Sequence, residues 1–179
     1  MLGAILRGTP VWVFALAGYL AWMGIVRLRP RVTGVRRIGI LPVVFVGWGL
    51  FGLFRHDGAF AAALADWACG AAGGLLAGYG PRQRLVVDRL RGLVLQPGSA
   101  LPLVRNLALF GAHYALQVAA AIQPSVREGL MRWDIAVSGL GAGYFIGWAF
   151  RFARTYRAAP ETSLDRGIDD SAALLLETR

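Results

Sequence analysis

Lysine is absent from the 179-residue chain, and all nineteen basic residues are arginine. Cysteine occurs once, at Cys69, which excludes an internal disulfide and any CxxC redox or zinc pattern. Cys69 therefore reads as a small packing residue. Only two histidines, His56 and His113, are present, too few for a histidine-based metal centre. Beside Asp57 in the RHDG turn, His56 reads as part of a solvated loop. The serine elbow GxSxG, the zinc helix HExxH, the phosphate cradle GxxxxGK and the Rossmann glycine set are all missing. The residues thus imply no metal and no cofactor, and the reading is of a non-enzyme. Charge is scarce as well: 16% of residues carry one, against about 25% in soluble domains.

What fills the chain instead is apolar, with 56% hydrophobic residues and a mean hydropathy of +0.53. The apolar residues fall into five blocks, 9–26, 38–54, 58–80, 101–123 and 134–153. Each approaches the 17–25 residues that a membrane-crossing helix needs, roughly. The fold class expected is therefore all-α: a polytopic membrane protein in which residues 1–157 form a five-helix bundle and 158–179 a polar cytoplasmic tail. The first block lacks a small-x-small cleavage site and is followed at once by RLRPR, so it reads as a retained helix. Thr9 and Pro10 suit its start as cap and first-turn proline, and Trp12, Tyr19 and Trp22 suit a membrane-interface belt.

A net charge of +9 and a pI near 11.1 would suggest nucleic-acid binding in a soluble chain. The distribution argues against that. Fourteen arginines lie after the first, third and fifth blocks: Arg27, Arg29, Arg31, Arg36 and Arg37; Arg82, Arg84, Arg89 and Arg91; Arg151, Arg154, Arg157, Arg166 and Arg179. Four, Arg7, Arg55, Arg127 and Arg132, lie on the other side, and Arg105 is inside the fourth block. This positive-inside bias places the N-terminus outside and the C-terminus in the cytoplasm, as expected of a bacterial inner-membrane protein. The partners it implies are the bilayer itself and anionic headgroups on the cytoplasmic side.

One loop has internal pattern. In RQRLVVDRLRGLVLQPGS, two β-prone runs, LVVD and LVLQ, flank RLRG, whose glycine suits a turn. It reads either as a short β-hairpin on the inner membrane face or as a solvated loop. Beyond residue 157 the sequence becomes polar and acidic, and Asp170 or Ser171 could cap a short terminal helix.

Small residues recur at spacing four in two blocks, as Gly70, Gly74 and Gly78 and as Gly139, Gly143 and Gly147. Close helix contact in lipid requires such faces, so both are expected to pack on neighbouring helices, with self-association as the competing use. Asp66 shares the face of Gly70, four residues on, which turns its carboxylate toward protein rather than lipid.

The fourth block supplies possible partners for that acid. In LVRNLALFGAHYALQ, the side chains of Asn106, His113 and Gln117 fall within about 40° of one another at 100° per residue, and Tyr114 follows His113. Depth separates these groups. Asp66 lies about 12 Å below the outer end of its helix, level with His113 and Gln117, whereas Arg105 and Asn106 lie near the inner surface as an anchor. An Asp66 contact with His113 or Gln117 is therefore expected, either as a proton or ligand site or as a structural clamp.

The stretches ILRGTPVWVFALAGYL, PGSALPLVRNLALFGAHYALQVAAAIQP and GLGAGYFIGWAFRFARTYRA together resemble an uncharacterised family of five-helix bacterial inner-membrane proteins, over the chain to about residue 158. The resemblance implies a Lys-Tyr pair where this chain has His113 and Tyr114, and a Trp in place of Ala100, and it brings no activity. In helix number and size alone, the chain is also similar to small membrane proteins of cytochrome c maturation. Three functions fit the sequence: a bundle that binds or conducts a small solute, or assists a membrane partner, through a polar seam between the third and fourth helices; a membrane-embedded enzyme with Asp66 and His113 as acid and base; and a structural subunit whose glycine faces dock a second copy or another membrane protein.

Overall fold

A computed structural model describes residues 3, 7–35, 39–53, 60–80, 85–162 and 164. The His56–Asp57 turn, Arg82, Arg84 and the region of Asp170 and Ser171 lie outside the described residues. The described chain is mostly helical, with helices α1 (Val11–Val26), α2 (Ile40–Leu53), α3 (Phe60–Gly78), α4 (Leu101–Ile122) and α5 (Arg127–Ala158). A 3-10 turn, Pro124–Val126, joins the last two. Strands β1 (Arg31–Gly34), β2 (Val86–Asp88) and β3 (Leu93–Gln96) complete it.

Among the described residues two stretches are long and apolar enough to cross a membrane, α3 and the run Pro124–Ala158 that contains α5. Five such spans were expected from the apolar blocks, and the shortfall has physical causes. At 1.5 Å per residue, the 16 residues of α1 and the 14 described residues of α2 reach about 24 and 21 Å, short of a hydrocarbon core of about 30 Å. The 22 residues of α4 are long enough, but Arg105, Asn106, His113 and Gln117 dilute its apolar character.

The chain forms two compact units, Met1–Arg29 with Ser99–Asp134, and Pro30–Gly98 with Ile135–Arg179. In the first unit α1 packs along α4. The contacts show the two helices to be antiparallel: Thr9, before α1, bonds Tyr114 within α4, and at the other end the backbone N–H of Ser99 donates to the carbonyl of Arg27. Gly24 permits the approach, because a Cβ there would lie 2.8 Å from Leu103 Cα. Thr9 does not cap α1; its N-cap position is Pro10, and no side chain caps it.

The second unit is built on a parallel crossing of α3 and α5. A Cβ added at Gly70, Gly74 or Gly78 would overlap the carbonyl oxygens of Ala136, Leu140 and Tyr144, respectively. One added at Gly139, Gly143 or Gly147 would overlap those of Trp67, Ala71 and Leu75. The sequence offset between contacting residues is nearly constant, so the helices run the same way. Six glycines thus bring two backbones into contact, the arrangement that dispersion favours where no hydrophobic effect drives association.

At its C-terminal end α5 outruns α3 and passes under a three-stranded antiparallel sheet of order β1-β3-β2. The sequence left hairpin and solvated loop open, and the hairpin is what forms, with Val86 opposite Leu95 and Asp88 opposite Leu93. Its tip, Arg89 to Gly92, closes because Asp88 Oδ1 accepts the N–H of Arg91 and Gly92 takes the left-handed conformation, φ 63°. β1, which the sequence did not disclose, adds to β3 with Arg31 opposite Gln96. Alternation then sorts the strand residues onto two faces. Leu85, Val87 and Val94 meet Trp148, Phe152 and Tyr156, an i, i+4 ladder on α5 with ring centroids 5.6 and 6.0 Å apart. Val86 and Leu95 face the other way and are covered by Leu164. This is the dry core, with Val87, Val94 and Leu95 at 0% exposure.

Candidate functional site

The polar residues of α4 are satisfied within the first unit. His113 and Gln117, four apart, project from one face of α4. The 3-10 turn, with Pro124 in its first position, reverses the chain, and α5 starts at Arg127 with Glu128 in its first turn, a favourable charge for a helix N-terminus. Asp134 then lies eight residues into α5, at about the same distance from the turn as His113 and Gln117. The result is a shared carboxylate. His113 Nδ1 lies 2.6 Å from Asp134 Oδ1, and Gln117 Nε2 donates to Asp134 Oδ2 over 2.9 Å.

Both carboxylate oxygens are thus engaged once, and each keeps a second lone-pair direction for another donor. The Asp134 side chain is 17% exposed and that of His113 is 39% exposed, so the pair lies at a surface of the unit. With Nδ1 held by the carboxylate, the second ring nitrogen, Nε2, is directed away from it. Next to this group, Tyr114 turns to the other neighbour of α4: its hydroxyl lies 2.6 Å from Thr9 Oγ1, and its ring stacks on Phe110, centroids 6.4 Å apart. Consecutive residues of α4 therefore tie α5 on one side and α1 on the other.

Arg105 and Asn106 form a separate group nearer the start of α4. Arg105 donates through Nε and a terminal nitrogen to Asn106 Oδ1, at 3.1 and 2.8 Å, and Asn106 is buried. Two turns of helix separate them from the His113 group. Asp66, the expected partner of His113, is half-buried on α3 in the second unit, where it makes an interaction of its own. The carboxylate that His113 and Gln117 find is Asp134, which sequence reasoning passed over because it read residue 134 as the membrane edge of the fifth block. The signal that could have found it is symmetry about Pro124: in a tight helical hairpin, residues equidistant from the turn meet.

The second unit holds a different polar assembly at the hairpin tip. The backbone N–H and guanidinium of Arg89 donate to the two carboxylate oxygens of Glu161, at 2.8 and 3.0 Å. The same guanidinium donates to the carbonyls of Tyr156, Arg157 and Ala159, closing the C-terminus of α5, and lies over the Tyr156 ring. At the end of α3, Arg154 bonds the Tyr79 hydroxyl. Among the described residues no group of three or more His, Cys, Asp or Glu is placed to hold a metal ion.

The chain belongs to a family of unknown function (DUF6622), whose profile matches residues 1–163. No curated protein and no solved structure matches it.

Proposed function

We propose that the protein is a membrane-embedded helical bundle, threaded with its arginine-rich connections on the cytoplasmic side of a bacterial inner membrane, and that His113, Gln117 and Asp134 form its binding site for a small cationic or proton-donating solute. The threading is supported by where the connections meet. β1 comes from the link between α1 and α2, β2 and β3 from the link between α3 and α4, and Glu161 and Thr162 from the segment after α5. All three belong to one sheet assembly in the second unit, which gathers Arg31, Arg89 and Arg91, as a charge bias toward one side of a membrane requires. Large apolar side chains on α1, α2, α3 and α4, such as Trp12, Trp22, Val43, Leu76 and Val104, are exposed as lipid-facing positions need to be.

The observation that carries the site is the convergence of His113 and Gln117 on one carboxylate, that of Asp134. A buried or lipid-facing acid is costly, and here it is oriented by two side chains while retaining acceptor capacity for a third group. The group that fits is a donor: an ammonium, a hydronium or a hydrated cation. An acid-base role for the same pair and a purely structural clamp are the rival readings.

Site and clamp separate in one experiment. Thermal unfolding of the purified protein in detergent is followed with methylammonium, ammonium, sodium or magnesium at constant ionic strength. A site gives a concentration-dependent rise of the transition with at least one probe, and Asp134→Asn abolishes that rise whatever it does to the probe-free transition. No rise with any probe, together with a lowered transition in Asp134→Asn, leaves only the clamp.

A further inference from the structure

The order β1-β3-β2 leaves β2 at a sheet edge, and an edge strand offers unpaired backbone groups to any extended segment that reaches it. Here the chain's own residues 159–162 and Leu164 reach it. Glu161 forms a parallel bridge with Val87, and the N–H of Thr162 donates to the Val87 carbonyl. Arg89 holds the Glu161 carboxylate from two directions. Three residues on, Leu164 is buried against Val86 and Leu95, and its N–H donates to Asp88 Oδ2. Asp88 is itself 3% exposed, with its other oxygen committed to the hairpin turn.

Taken together these form a recognition surface with three separate readers: a guanidinium for a carboxylate, a strand edge for backbone, and an apolar floor for a leucine three positions later. Main-chain pairing with pockets for chosen side chains is the mode by which sheet edges bind extended peptides. We infer that this edge is a docking surface for an extended Glu-x-x-Leu segment, and that its occupant in trans is the 159–164 segment of a second copy of this chain.

The second copy is favoured because the segment known to fit is this one, and because reciprocal exchange preserves every contact in both copies. The Arg89–Glu161 pair, 36% and 44% exposed, lies where the segment of a second copy can reach it, and among the described residues of the segment the buried apolar anchor is Leu164. The segment follows directly on the end of α5 at Ala158, through Ala159 and Pro160, a short connection on which exchange could pivot.

The test uses reversed charges on full-length chains. Arg89→Glu on a tagged copy and Glu161→Arg on an untagged copy each mismatch within their own chain, but together restore one Arg-Glu pair and create one reversed pair between copies. Co-expressed and purified in detergent, the mixed pair should retain about tenfold more untagged chain than either variant paired with itself, since exchange is then matched only in trans. Arg89→Glu with Glu161→Arg in the same chain restores the internal match and should return retention to the wild-type level, which also shows that the substitutions leave the fold intact. Adding Leu164→Asp to both partners of the mixed pair should abolish the excess. Equal retention in the mixed and self-paired samples overturns the inference and leaves the segment as an internal fastening; retention unaffected by Leu164→Asp overturns it as well.

Discussion

The α3–α5 crossing and the sheet core of the second unit are held backbone against backbone and apolar against apolar, whereas the first unit is tied at its middle by side-chain hydrogen bonds. On one side stand six glycines at the crossing of α3 and α5 and the dry trio Val87, Val94 and Leu95. On the other stand Thr9 with Tyr114 and His113 and Gln117 with Asp134. Close-packed contacts are hard to alter without displacing a backbone, while a hydrogen-bonded tie between helices contributes about 1 kcal/mol and can be broken and remade.

The comparison can be broken most severely at the α3–α5 crossing. Gly74→Leu places a side chain on the carbonyl of Leu140 and the N–H of Tyr144, and no rotamer relieves an overlap that starts at Cβ. Loss of the folded protein in detergent is expected, a cost above about 4 kcal/mol, read as aggregation on size-exclusion chromatography. Recovery of a normal elution profile would mean that the two helices are not in contact. Next in size is Leu95→Ala in the sheet core, expected to cost about 2–5 kcal/mol and to lower the thermal transition while the helical circular dichroism persists below it.

In the first unit His113→Leu and Asp134→Asn should each cost only about 1 kcal/mol, and together little more than either alone, because each removes the same contact. Fully additive losses would contradict the pairing. The smallest effect is of opposite sign. Gly111 in α4 has nothing within 4 Å of an added Cβ, so Gly111→Ala should raise the transition slightly, by up to about 1 kcal/mol from helix propensity. Gly74→Ala should lower it sharply, and equal responses at the two glycines would erase the contrast between the units.

Much of this was readable in advance, and the failures have a common cause. The apolar blocks at 9–26, 38–54, 58–80 and 101–123 lie within two residues of α1 to α4, because apolar length and flanking glycine or proline are local signals. The fifth helix begins seven residues before its apolar block, since Arg127 to Trp133 is helical yet polar. With the block drawn from residue 134, Asp134 stands at its edge and Asp66 is the acid that the pattern offers His113. The hairpin was legible from LVVD, RLRG and LVLQ, but β1 was not, because RVTG becomes a strand only by pairing with β3, about sixty residues away. The spacing of the six glycines was visible; which helix each set would meet depends on tertiary packing that spacing does not encode.

The account rests on the arginine-bearing sheet lying on the cytoplasmic side, and Leu90 at the hairpin tip, 94% exposed, reports on this directly. With Cys69→Ala removing the native thiol, Leu90→Cys is treated in intact cells with a membrane-impermeant maleimide, before and after permeabilisation. The account predicts labelling only after permeabilisation. Labelling of intact cells to the same extent would contradict the threading, and with it the placement of the His113–Asp134 site in the membrane.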